Sequence, residues 1–206
     1  MRLVKWTLIP LAALSLTAAA DPGTFTLERV LERLRPPGGE MKTAYRQTRE
    51  SNLLSEATTT QGHLEFRAPD RLVRLEKRPD GTTRRLRIAD GMVRLEGPGE
   101  RQSSFPLERV PALTLLMDML QSVATGDPEP LRARYDARLE GDWQNWRIHL
   151  QLPEQDTQPG IDAPPESSGE AQAALHGSGG RVTAFTMDSS ASGRLRIEFL
   201  PGATSE

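Results

Sequence analysis

The sequence predicts an α+β protein: a curved antiparallel sheet with helices lying across its apolar face. Three observations predict it. From residue 40 onward, apolar side chains recur at every second position in short runs bounded by Gly, Pro, Asn, Asp and Ser. Two segments, residues 24–35 and 110–124, depart from that period and space their apolar residues as helices do. The turn signals between the runs are short, so consecutive strands pair as antiparallel neighbours with one greasy and one wet face.

The first twenty residues, "MRLVKWTLIPLAALSLTAAA", have a short basic start at Arg2 and Lys5, an apolar run and three small residues before Asp21. They read as a cleaved secretory signal peptide, since the apolar run is too short to span roughly 30 Å of hydrocarbon. The expected compartment is a bacterial periplasm, with residues 21–206 forming one domain. The chain contains no cysteine, so thiol chemistry, disulfides and a lipid-carrying cysteine after the leader are absent from it.

The first element after the leader, residues 24–35, places Leu27, Val30, Leu31 and Leu34 on one stripe, with Thr24 available to cap it and "PPGG" at 36–39 to end it. Strand-like runs follow as "MKTAYRQTRE", "TTTQGHLEFRA", "DRLVRLEKR", "TTRRLRIA", "MVRLE" and "RQSSFPL". Ala68-Pro69 interrupts the second and third, "PDG" at 79–81 turns the third into the fourth, and "DG" at 90–91 is a strong hairpin signal. Alternation assigns Leu64, Phe66, Val73, Leu75, Leu86, Ile88, Val93 and Leu95 to the inner face.

The segment "VPALTLLMDMLQSVA" interrupts the meander. Pro111 suits a first helical turn. Leu113, Leu116, Met117 and Leu120 share one stripe, while Ala112, Leu115 and Met119 make a second, so this helix is expected to be covered on more than one side. Two readings stay open for it, a lid that moves or a permanently packed core helix. "LRARYDARLEG" and "DWQNWRIHLQL" read as a further hairpin, with Trp146, Ile148 and Leu150 facing inward. Residues 153–180 are rich in Pro, Gly, Ser and acids and are expected to form a mobile loop, after which "RVTAFTMDSS" and "GRLRIEFL" finish the sheet.

Charge and chemistry exclude several functions. Beyond the leader, 24 basic residues stand against 28 acidic ones, a poor balance for holding a polyanion. The arginine-rich stretch at 62–81 interleaves Glu65, Asp70, Glu76 and Asp80 with its cations, which reads as a solvated sheet face and not as a nucleic-acid surface. The three histidines, His63, His149 and His176, have no metal-ligand spacing. "GSGG" at 177–180 reads as linker, and Ser189, Ser190 and Ser192 suit a turn with no nucleophile-elbow pattern. No metal, cofactor or catalytic group is therefore expected, and the chain reads as a non-enzyme.

The order of elements resembles the periplasmic lipoprotein carrier family, the LolA-like proteins. The residues that carry the resemblance are "YRQTRE" at 45–50, "GHLEFRAPDRLVRL" at 62–75, "IADGMVRL" at 88–95 and "GRVTAFTMDSSASGRLRIEF" at 180–199. The resemblance implies an unclosed β-barrel with a helical lid. It also implies carriage of lipidated proteins between an inner-membrane exporter and an outer-membrane acceptor. In that family an arginine directly before the strand-ending proline ties the lid to the barrel. Here that place is Ala68, which leaves Arg67, one residue earlier and on the opposite face by alternation, as the candidate tether.

The expected function is thus a periplasmic, monomeric carrier that binds acyl chains of lipoproteins or another lipid. Two other classes remain in view. One is a sensing or binding module that serves an envelope export or biosynthesis system. The other is an envelope enzyme, which would need a buried polar constellation.

Overall fold

The computed structural model describes residues 24–51, 56–78, 80–99, 102–151, 171–189 and 193–201. Among them, eleven strands form one antiparallel sheet. They are β1 (Glu40–Glu50), β2 (Thr58–Arg67), β3 (Arg71–Lys77), β4 (Thr83–Ala89), β5 (Met92–Glu96) and β6 (Ser103–Pro106). After a helical interruption come β7 (Asp136–Gly141), β8 (Trp146–Gln151), β9 (Ala171–Ser178), β10 (Arg181–Ser189) and β11 (Gly193–Leu200). The spatial order is β6-β5-β4-β3-β2-β1-β11-β10-β9-β8-β7. Two meanders are therefore joined at their first and last strands, with Tyr45 of β1 opposite Phe199 of β11.

The two outer edges, β6 and β7, do not pair with each other. The chain crosses between them through α2 (Pro111–Thr125) and the short α3 (Glu129–Arg132), while α1 (Leu27–Leu34) precedes β1. One continuous core runs from Val93 on β5, beneath Val30 and Leu31 of α1 and Leu115 and Met119 of α2, to Ile148 on β8. A flat sheet of eleven strands would be roughly 48 Å wide at ~4.8 Å per step, far wider than two helices can cover. The sheet curls around the helices instead, and stays unclosed.

Local chemistry explains the elements. In α1, Thr26 accepts from the Arg29 amide at 3.4 Å, so the cap is Thr26 and not Thr24. The stripe Leu27, Val30, Leu31 and Leu34 is buried, as its spacing requires. The hairpin of β4 and β5 turns on Asp90 at φ 52° and Gly91 at φ 69°, the paired positive values that a two-residue turn matching strand twist needs. Helix α2 ends on Gly126 at φ 74°, a left-handed cap.

Four expectations are corrected. In β3, Leu72 lies opposite Phe66, and Arg74 lies opposite Leu64. Val73 and Leu75 therefore project from the outer face, because a three-residue turn sets the register and a shift by one reverses every side chain. Arg67 likewise stays outside, 61% exposed and 2.7 Å from Glu40, so it ties β2 to β1 and does not reach the helices. Leu131 and Arg132, expected to open a strand, instead end the short helix α3. Finally, part of the expected mobile loop is strand β9, whose Gly177 lies directly under the Trp146 indole. A Cβ on Gly177 would sit 1.9 Å from that ring, so only glycine allows the contact. Residues 153–170 of the same expected loop, like the leader, lie outside the described residues.

Candidate functional site

The inner face of the sheet is divided along its strands. Toward one end it is apolar, with Leu64, Phe66, Leu72, Ile88 and Val93 each at most 2% exposed. Toward the other it is polar. There Arg74 lies over the Tyr45 ring, 4.9 Å from its centre. It donates to the Tyr45 hydroxyl at 2.6 Å, to Gln47 at 2.8 Å and to Glu76 at 2.9 Å. Burial raises the Tyr45 phenol pKa, against the pull of Arg74. The helices cover the apolar end, where the hydrophobic effect rewards covering.

Between that end and α2 lies a cavity of about 320 Å³. Its helical wall is Leu116, Met119, Leu120 and Val123, which fall at i, i+3, i+4 and i+7 and so form one stripe. Its sheet wall comes from strands far apart in sequence: Met41, Leu64, Leu175, Val182 and Phe199. Glu40, Lys42, Thr43 and Arg181 supply polar groups beside Pro36 and Gly180. The volume is at the lower end of ordinary ligand pockets, about 300–1,000 Å³.

Of the residues assigned from the sequence, Leu64, Leu116 and Leu120 line this cavity. Phe66, Ile88, Val93, Met117, Trp146, Ile148 and Leu150 are buried in the core around it, and Leu86 and Leu113 are partly buried against that core. Leu95 is half-buried on the inner face, opposite Leu86. Sequence reasoning placed Met119 on the covering helix but missed Met41, Val123, Leu175, Val182 and Phe199. Val123 was legible from the helical stripe; Leu175 was hidden in the segment taken for a loop.

What holds α2 over the cavity is a polar latch. Asp118 is 8% exposed. It accepts from the Tyr135 hydroxyl at 2.8 Å and from Arg134 at 3.2 Å. Burial first, and the Asp118 carboxylate second, push the Tyr135 phenol pKa up, so the hydroxyl stays a donor. An Arg132–Glu28 ion pair joins α3 to α1. Helix α1 is in turn fixed to the β7–β8 turn, where Trp143 meets Phe25 edge-on at 5.3 Å and lies 5.0 Å beneath the Arg33 guanidinium. Among the described residues, no group of three or more His, Asp or Glu is placed to hold a metal ion.

A half-barrel whose open edges are spanned by a helix, with an apolar cavity beneath that helix, defines the LolA-like class of fold. The chain belongs to the family described as outer membrane lipoprotein carrier protein LolA-like, whose model matches residues 19–163. Members of that family bind lipids or lipoproteins, lie outside the cytoplasm, and are binding or carrier proteins rather than enzymes. No curated protein matches the chain in sequence.

Solved structures with a similar fold include the LolA superfamily protein NE2245 from Nitrosomonas europaea, at 11% identity and a TM-score of 0.45, covering 86% of this chain and 92% of that one. The Mycobacterium tuberculosis lipoprotein LppX is 11% identical with a TM-score of 0.42, covering 87% and 96%. The Pseudomonas aeruginosa MucA/MucB complex is 17% identical with a TM-score of 0.33, covering 87% of this chain and 59% of that one. Among the described residues, no helix is long and apolar enough to cross a membrane.

Proposed function

We propose that this protein is a periplasmic carrier that shelters an acyl chain of a lipoprotein or another lipid beneath α2 and moves it towards the outer membrane. It would receive its cargo from an inner-membrane exporter and give it to an outer-membrane acceptor. The observation that carries this reading is the apolar cavity of about 320 Å³ between the α2 stripe and the middle of the sheet.

The cavity has room for roughly ten groups the size of a water molecule, at ~30 Å³ each. A methylene is of similar size, so the space takes part of a long acyl chain. Burying that part contributes on the order of 8 kcal/mol at about 0.8 kcal/mol per methylene. Taking the whole chain requires α2 to move outward. Its cavity wall of leucines, a valine and Met119 suits such movement, since methionine repacks without demanding one geometry. The latch at Asp118 sits at the α3 side of that helix, so release there frees the segment that must swing.

The test is native mass spectrometry of the protein purified from a periplasmic extract without detergent, followed by lipid analysis. Co-purifying mass that resolves into acylated species is the expected result. A bare mass, with no subsequent uptake of an uncharged fluorescent acyl probe, would mean that the helices close the sheet into an ordinary core, and the carrier reading would fall.

A further inference from the structure

The rim of the cavity is not electrically neutral, and its imbalance resides in one side chain. Glu40 is matched by Arg67 at 2.7 Å, and Lys42 by Glu65 at 3.6 Å. Arg181 forms no ion pair among the described residues, and it is exposed beside the cavity. The other cation at this corner, Arg33, is engaged over the Trp143 ring.

The turn that leads into Arg181 is held in place. Arg181 begins β10 directly after the turn Gly179-Gly180. The Gly179 amide donates to the Trp143 carbonyl at 2.7 Å, and the Trp146 indole N–H donates to the Gly179 carbonyl at 3.0 Å. Gly180 lies against Arg33, where an added Cβ would meet side chain and backbone at 3.4 Å. Two tryptophans and α1 therefore fix the turn that presents Arg181, so only its side chain remains to be ordered when it meets a ligand.

We propose that the cavity selects acyl chains that carry an anionic group at their base, and that Arg181 is the residue that recognises it. This rests on the reading of the cavity as an acyl site. The apolar walls take the chain, and the guanidinium offers a planar fork to a carboxylate or phosphate oxygen at the rim. An uncharged chain fills the same walls and leaves Arg181 hydrated.

The experiment is displacement of uncharged N-phenyl-1-naphthylamine from the purified protein by two matched pairs. One pair is dodecanoate and 1-dodecanol. The other is dodecyl phosphate and uncharged dodecyl acetate. We expect the anion of at least one pair to bind about fivefold more tightly than its partner, and that pair identifies carboxylate or phosphate as the recognised group. Arg181→Gln should abolish the difference and leave the uncharged partner unaffected, Arg181→Glu should invert it, and Arg46→Gln, a cation on the outer face, should leave it unchanged.

Equal affinity within both pairs in the wild-type protein, or a preference that survives Arg181→Gln, overturns the proposal while leaving acyl binding intact. Failure of all four compounds and of the probe to bind overturns the acyl-site reading itself, and this proposal with it.

Discussion

Tyr135 and His176 are the two residues whose surroundings most change what they do. Tyr135 is a buried donor to a buried carboxylate, and Asp118's other partner, Arg134, approaches from a position 59% exposed. Tyr135→Phe should therefore cost about 1–3 kcal/mol, as expected when a buried charged acceptor loses a donor. Urea unfolding measures that loss, and stopped-flow mixing with an acyl probe should show faster uptake if the latch restrains α2. His176 lies on the outer face, 3.0 Å from Thr186 and 3.3 Å from the Arg147 guanidinium. Burial first, then the charges of Arg147, Arg196 and His149, lower its pKa below the ordinary 6.5. The unfolded chain then binds this proton at higher pH than the folded one. The stabilisation is complete above 6.5 and declines as the pH falls through the window below it. Unfolding midpoints of His176→Gln should fall less than those of the parent between about pH 7.5 and 5.5; parallel curves would refute this account.

At the scale of elements, α2 and β3 teach opposite lessons. Helix α2 is apolar nearly all round, which the sequence states directly, and both its burial and its stripe over the cavity follow from that. Leu116 tests whether it is a lid. It is 4% exposed, yet it borders the cavity, so an aspartate there can be hydrated through that space. Leu116→Asp should abolish acyl-probe binding while lowering the unfolding free energy by less than the about 2–5 kcal/mol typical of losing a buried leucine. A full loss of that size, by chemical denaturation, would mark α2 as fixed core. In β3 the sequence "LVRL" offers apolar residues to both faces, and alternation alone cannot choose between Leu72 and the pair Val73 and Leu75. The turn decides, by the parity of its length. Strand β9 was illegible for another reason: alanine carries little strand preference. Its inward positions, Ala173, Leu175 and Gly177, make sense only beside Leu150, Ile148 and Trp146 of β8.

At the scale of the molecule, the curved sheet and its helical covering were legible because period-two runs and two helical stripes predict them, whereas the unclosed half-barrel came from the family resemblance. The cavity was not. Met41, Leu175, Val182 and Phe199 meet only after β1 pairs with β11 and β10 brings β9 alongside, and no local pattern announces such a meeting. That same seam sets an order of events in time. Strand β2 follows β1 directly in sequence and can zip to it early, whereas β11 is separated from β1 by nine intervening strands. Until β11 pairs, β1 presents a bare row of amide and carbonyl groups, the condition under which strands recruit foreign chains. Contacts of this sequence separation are slow to form. The folding chain must therefore pass through a stage as half a sheet with an adhesive border, and whatever shields it through that interval protects the strand that later stands in the middle of the cavity's wall.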